Sequence, residues 1–150
     1  MALYLDDLTP GMVVDAGTRT VSLEEGIAFA QQFDPQPFHL DNDAAKSSLF
    51  NGLALSGWHT AAVCMRMAVE SPFGEMASGL VGLEIRSMRW PIPARPGDTL
   101  RMQIEVLSIK PSRSRPGWGT GEVRWIVRNQ KDEIVMALEN TIWAACRPAP

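Results

Sequence analysis

Asp34 and His39 stand five positions apart in the segment Asp34-Pro-Gln-Pro-Phe-His39, and His39 is one of only two histidines in the chain. A carboxylate and an imidazole on a stiff turn can grip one water molecule and move its protons near neutral pH. Pro35 and Pro37 supply the stiffness, since each fixes its own φ. Gly52-Leu-Ala-Leu-Ser-Gly57-Trp-His-Thr60 follows and leads into a helix-like run. A backbone N–H at a helix start suits a developing oxyanion, and Gly57 lacks a side chain that would keep a ligand away. An acid–base pair beside such a helix start points to chemistry on a thioester.

The rest of the chain must position these groups. Ser22-Leu-Glu-Glu25 is a capping box, with Ser22 as N-cap and Glu25 at N3. The helix it opens carries Ile27, Phe29, Ala30 and Phe33, and it is predicted to stop by Asp34 because Pro35 disfavours helical geometry there. Asp41 can cap a short helix running to Ser47. A longer helix is predicted from about Ser56, its N-cap, to Glu70. It is apolar nearly all round (Trp58, Val63, Cys64, Met65, Met67, Val69), which predicts a buried helix, and Ser71-Pro72-Phe-Gly74 ends it.

The second half alternates with period two. Leu100, Met102, Ile104 and Val106 face one way, against Arg101, Gln103 and Glu105. Val123, Trp125 and Val127 oppose Glu122, Arg124 and Arg128; Ile134, Met136 and Leu138 continue the pattern, and Leu80 to Trp90 alternates less cleanly. Pro96-Gly97-Asp98 and Asn129-Gln-Lys-Asp132 supply turns. One buried helix followed by four long strands predicts an α+β fold, a curled antiparallel sheet wrapped round a helix.

The totals bound the reading. A chain of 150 residues with 45% hydrophobic and 21% charged residues is predicted to be a single domain, 1–150, able to bury a core. A net charge of −3, with basic residues scattered until the cluster near 110–115, argues against a nucleic-acid partner. No apolar run approaches the length that spans a bilayer, which argues against a membrane partner, and the acidic start Met1-Ala-Leu-Tyr-Leu-Asp-Asp7 is not the pattern of a secretory signal. Cys64 and Cys146 show no motif spacing, which fits a reducing, cytoplasmic setting.

Asp34-Pro-Gln-Pro-Phe-His39-Leu-Asp41, followed by Gly52-Leu-Ala-Leu-Ser-Gly57, resembles the hydratase motif of MaoC-like dehydratases, the (R)-specific enoyl-CoA hydratase branch of the hot-dog fold. Arg89-Trp-Pro-Ile-Pro-Ala-Arg-Pro-Gly-Asp98-Thr-Leu100 and Pro111-Ser-Arg-Ser-Arg-Pro-Gly117 are similar to further segments of that family, and the resemblance runs from about Leu8 to Trp143. It implies a hot-dog fold paired through strand edges, as a homodimer or a dimer of dimers. It implies an acyl-CoA substrate, with CoA as part of the substrate and no metal or other cofactor. Residue by residue, Asp34 and His39 fall on the two catalytic positions, and Gly57, eighteen residues after His39, on the glycine whose N–H holds the thioester oxygen. Many relatives carry a histidine just before that glycine where this chain has Ser56, and Trp58-His59 is bulkier and more polar than the usual pair. The implied reaction is reversible hydration of a 2-enoyl-CoA to an (R)-3-hydroxyacyl-CoA.

Blander roles stand beside these. Asp34 can be a turn residue and His39 a satisfied buried histidine. His59, past Gly57 on the helix, fits a structural role better than a catalytic one. Ser56 is an N-cap candidate that could also position substrate or water. Lys110, Arg113 and Arg115 suit a solvated loop, or the nucleotide phosphates of CoA. Gly117-Trp-Gly-Thr-Gly121 lacks the lysine of a phosphate loop and fits a loop or bulge. The competing functions are an acyl-CoA thioesterase, disfavoured because the central helix has no carboxylate before Glu70; a non-catalytic acyl-thioester binding protein; and a dehydratase acting on a carrier protein, which would want a basic face, with Arg86, Arg89, Arg95 and Arg101 as candidates.

Overall fold

The computed structural model describes residues 1–150. Five strands form one antiparallel sheet: β1 (Val13–Thr20), β2 (Val81–Arg89), β3 (Thr99–Pro111), β4 (Trp118–Arg128) and β5 (Ile134–Ala145), in the spatial order β1-β3-β4-β5-β2. Between β1 and β2 lie α1 (Leu23–Phe33), two short helices, α2 (Pro37–Leu40) and α3 (Asn42–Lys46), and the long α4 (Gly57–Glu70). The result is the α+β hot-dog arrangement, with α4 lying along the inner face of the curled sheet.

The alternation in β3 and β4 decides which face is buried. Leu100, Met102, Ile104 and Val106 are fully inaccessible, as is Val127, while Arg101, Gln103 and Glu105 point out of the core. They pack with Val63, Cys64, Met67 and Ala68 of α4 in one core of 24 residues. Burial pushes the Cys64 thiol up to about 12, so it behaves as a small apolar side chain. On the outer face Arg124 of β4 bonds Glu139 and reaches Glu105 on the strands either side of it, and Arg86 of β2 reaches across β5 to Glu122, so charge pairs tie the strands together.

The signals at α1 and α3 act largely as predicted, although only the Ser22 half of the capping box forms. Ser22 accepts from the Glu25 N–H, α1 ends with Asp34 as its C-cap, and Asp41 accepts from the N–H groups of Asp43 and Ala44. Both predicted turns close, through Asp98 N–H to the Arg95 carbonyl and Asp132 N–H to the Asn129 carbonyl.

The structure adds one strand and corrects three details. The four strands predicted after the long helix are β2 to β5; β1, which precedes the helices, buries only Val14 and so has little apolar alternation to show. Gly117-Trp-Gly-Thr-Gly121 leads into and forms the start of β4, where a Cβ on Gly119 would stand 2.5 Å from the Lys110 carbonyl oxygen and from Leu5. In β5 the pairing slips, so that fully buried Val135 interrupts the Ile134, Met136, Leu138 pattern and Ile134 is only half-buried. Helix α4 is not covered all round, since Trp58, Met65 and Val69 are exposed. Trp58 and Met65 share a groove with edge strand β2, whose residues Val81, Leu83 and Ile85 are exposed as well. No helix is long and apolar enough to cross a membrane.

Candidate active site

Helix α1 delivers Asp34 and must stop there, with the Asp34 N–H closing onto the Ala30 carbonyl at 2.9 Å and Pro35 next. Pro37 then starts α2, a single turn that carries His39 inward. His39 Nε2 and Asp34 Oδ2 are 3.2 Å apart, with side chains only 7% and 16% exposed. On the other side of the ring, Nδ1 lies 2.7 Å from the Ala54 carbonyl oxygen. A carbonyl can only accept, so Nδ1 donates to Ala54, and the ring is turned with Nε2 facing Asp34. This side-chain convergence displaces the reading of Asp34 as only a turn residue.

Two further groups hold Asp34. Gln36 Nε2 donates to Oδ1 at 2.6 Å, and the Ser56 hydroxyl donates to Oδ2 at 2.7 Å. Burial alone would push the Asp34 pKa up; the hydrogen bonds from Gln36 and Ser56, with the charge of His39, outweigh it and hold the carboxyl below its usual value.

Ser56 occupies the N-cap position of α4, but its side chain makes no capping hydrogen bond. Because its hydroxyl goes to Asp34 instead, the N–H groups of Gly57, Trp58 and His59 have no acceptor within the chain; the first bond of the helix is from Thr60 N–H to the Ser56 carbonyl. Unpaired N–H groups at the positive end of a helix dipole are an anion-receptive surface, here beside a carboxylate–imidazole pair. At Gly57 a side chain has no room: a Cβ would stand 2.6 Å from Trp90 Cε2, and the Trp90 indole N–H donates to the Gly57 carbonyl at 3.1 Å.

Asp34, His39, Gly57, Trp90 and Arg95 line one cavity of about 490 Å³, with Leu49, Phe50 and Trp58 also in its wall. Its size is within the range of small-molecule sites. His59 is not part of that wall. Its ring stacks on Phe29 at 4.7 Å, its Nδ1 has no partner, and burial pushes its pKa down, with Glu25 opposing and Arg19 adding to the shift.

The basic cluster lies elsewhere. Lys110 pairs with Thr120, Thr120 with Trp143 and Trp143 with Val81, whereas Arg89, next to Trp90, pairs with Ala137 and through it with Ile126. These rungs are eight residues apart along β2, about 26 Å at roughly 3.3 Å per residue. Lys110 and Arg113 line a separate open groove there, and Arg115 stacks over Trp118. Nor do the other arginines form one basic face: Arg86 is ion-paired with Glu122, Arg101 lies beside Asp15, and Arg95 donates to backbone carbonyls inside the cavity wall.

The model of the MaoC like domain matches residues 7–127. The chain belongs to the MaoC-like domain family. A crystal structure of the MaoC-like dehydratase from Rhodospirillum rubrum superposes on this MaoC-like chain with a TM-score of 0.93 and 43% identity, covering 99% of this chain and 100% of that one. The uncharacterized protein YdeM of Bacillus subtilis (strain 168) is 34% identical over 116 residues, 77% of this chain and 81% of its own. The unliganded R-hydratase PhaJ1 from Pseudomonas aeruginosa, at 23% identity, has a TM-score of 0.74 over 97% of this chain and 88% of that one, a likeness of fold. Gln36 and Trp90 hold the site or line the cavity with no role assigned by sequence, and Arg95, read there only as a candidate for a basic docking face, lines the cavity as well. Gln36 sits between two prolines inside the recognised motif, whereas only strand register brings Trp90 and Arg95 to the site.

Proposed function

We propose that this MaoC-like protein catalyses reversible hydration of a 2-enoyl-CoA to an (R)-3-hydroxyacyl-CoA. The observation that carries the reading is the convergence of Asp34, Nε2 of His39 and the unpaired N–H groups at the start of α4 on one cavity. The thioester carbonyl accepts from the Gly57 N–H, which stabilises the negative charge that develops as water adds at C3. Asp34 and His39 hold that water; the pair takes its proton and returns one to the α-carbon. The same groups run the dehydration in reverse. CoA enters as part of the substrate, and the chemistry calls on no other cofactor.

The reading extends to a partner. Helix α4 packs on β1 and β3, which leaves the free edge of β2 and its exposed Leu83 and Ile85 uncovered beside Trp58 and Met65. A second copy, pairing antiparallel along β2, would cover this apolar groove and continue the sheet. Two-fold symmetry would bring the Val81 end of one copy beside the Arg89 end of the other. The Lys110–Arg113 groove of one chain would thereby approach the cavity of its partner, where the nucleotide phosphates of CoA could be met.

The test is a hydration assay with crotonyl-CoA and longer 2-enoyl-CoAs, with chiral analysis of the product and a thiol reagent to register free CoA. Formation of (R)-3-hydroxyacyl-CoA without thiol release is the expected result. Thiol release would indicate a thioesterase instead, and saturable binding with no turnover at any chain length a non-catalytic binding protein. Sedimentation of the wild type and of Ile85→Lys checks the dimer: the variant should run as a monomer.

A further inference from the structure

The segment between α3 and α4 carries two of the site's groups, the Ala54 carbonyl on His39 and the Ser56 hydroxyl on Asp34. It contains consecutive residues with positive φ, Asn51 at 51° and Gly52 at 142°, of which only the glycine is indifferent to that geometry. The carbonyls of Phe50, Gly52 and Leu53 receive no backbone N–H. The Arg95 guanidinium reaches all three, through Nη2 to Phe50 at 2.5 Å and Nη1 to Gly52 at 2.9 Å and Leu53 at 3.3 Å.

Arg95 is itself well anchored. Its backbone N–H donates to Asp98 Oδ2 at 2.8 Å, and Asp98, buried, accepts from Gln130 at 2.9 Å on its other oxygen. The neighbouring Ala94 carbonyl accepts from Leu55 N–H at 2.8 Å, so the two segments are joined on both sides of Ala54. No carboxylate lies within ion-pair distance of the guanidinium. A planar fork of donors can span several fixed carbonyls; a lysine ammonium has neither the plane nor the reach.

We propose that Arg95 is a positioning residue for His39: by clamping the Phe50–Leu53 loop it keeps the Ala54 carbonyl on Nδ1, and so keeps the ring turned with Nε2 facing Asp34. The consequence for turnover rests on the hydratase reading above; the consequence for the ring does not. Without the clamp the loop relaxes, Ala54 moves off Nδ1, and the imidazole is free to turn away from Asp34. Misplacement of a catalytic group by about 1 Å can lower turnover by about a hundredfold.

The experiment is ring ¹⁵N NMR of His39 in the full chain, compared between wild type, Arg95→Lys and Arg95→Ala, alongside kcat and KM for the hydratase substrate. In wild type the Nδ1 proton, held on the Ala54 carbonyl, should be protected from solvent exchange. In the variants that Nδ1 proton signal should be lost to exchange, kcat should fall with KM little changed, and added guanidinium should restore part of the kcat of Arg95→Ala. If Arg95→Ala does not fold, Arg95→Lys decides, because it keeps the charge and loses the fork. A folded variant whose His39 Nδ1 proton stays as protected as in wild type overturns the proposal, whether or not the protein proves to be a hydratase. No substrate turnover in wild type, with the Nδ1 proton signal lost in the variant, would instead sink the hydratase reading and leave the clamp standing.

Discussion

The segment from Asp34 to Gly57 and the strand-end loop from Lys110 to Arg115 both gather polar residues around a cavity or groove, and they hold them in opposite ways. In the first, every chemically interesting side chain is committed: Asp34 accepts from Gln36 and Ser56, His39 is fixed through Ala54, and Arg95 clamps the connecting loop. In the second, Lys110 and Arg113 have no ion-pair partner, and the groove they line is open. The first region is organised before any ligand arrives, which is what proton transfer and charge stabilisation require. The second is built like a surface that supplies charge to something arriving from outside. The contrast predicts that substitutions in the first act on kcat, and that those in the second act on KM and on its salt dependence.

The largest effect is expected at His39. His39→Gln should lower kcat by roughly two to four powers of ten, with the fold intact by circular dichroism. Gly57→Ala comes next. Its Cβ would press on the Trp90 ring at 2.6 Å, so the indole must move; a stability loss of about 1–3 kcal/mol in denaturant unfolding is expected together with a large loss of kcat/KM. Ser56→Ala removes one of the hydrogen bonds that hold the Asp34 pKa down, so that pKa rises and the acidic limb of the kcat/KM profile should move to higher pH. Charge reversal at Lys110 and Arg113 should raise KM several-fold and flatten its dependence on salt, leaving kcat within about twofold. An equal loss of kcat from the Lys110 and His39 variants would erase the distinction between the two regions.

The smallest effect concerns stability alone. His59 is buried without a partner on Nδ1, and burial holds its pKa below the usual histidine value of 6.5. The unfolded chain therefore binds its proton more readily than the folded one, and stability is full above about pH 6.5 and falls as the pH drops below it. His59→Phe should remove that part of the pH dependence of the melting temperature while leaving turnover largely intact.

Much of this was legible in the sequence, for reasons that differ by element. Ser22 and Pro35 bracket α1 because capping and the residue before proline are local effects. The inward rows of β3 and β4 were legible because one face is fully buried, so their alternation is clean. Asp34, His39 and Gly57 were legible through a motif whose order and spacing match a family. What escaped is non-local or lacks a side-chain pattern. Strand β1 buries one residue and so leaves little apolar signal. The exposed stripe on α4 depends on where β2 ends up, and the apolar sequence there gave no hint that part of it is uncovered. Ser56 satisfied a capping rule, yet its hydroxyl turned to a stronger acceptor across the site. Arg95 could not be assigned because its partners are carbonyl oxygens, which every residue possesses.

The central claim is that Asp34 and His39 act together on one water beside the helix α4 amides. Hydration of crotonyl-CoA, followed by loss of the conjugated-thioester absorbance in wild type and in Asp34→Asn, tests it most directly. Turnover by the wild type that drops by roughly two to four powers of ten in the variant is the predicted result. A wild type inert toward every enoyl-CoA chain length, or a variant as fast as the wild type, would contradict it.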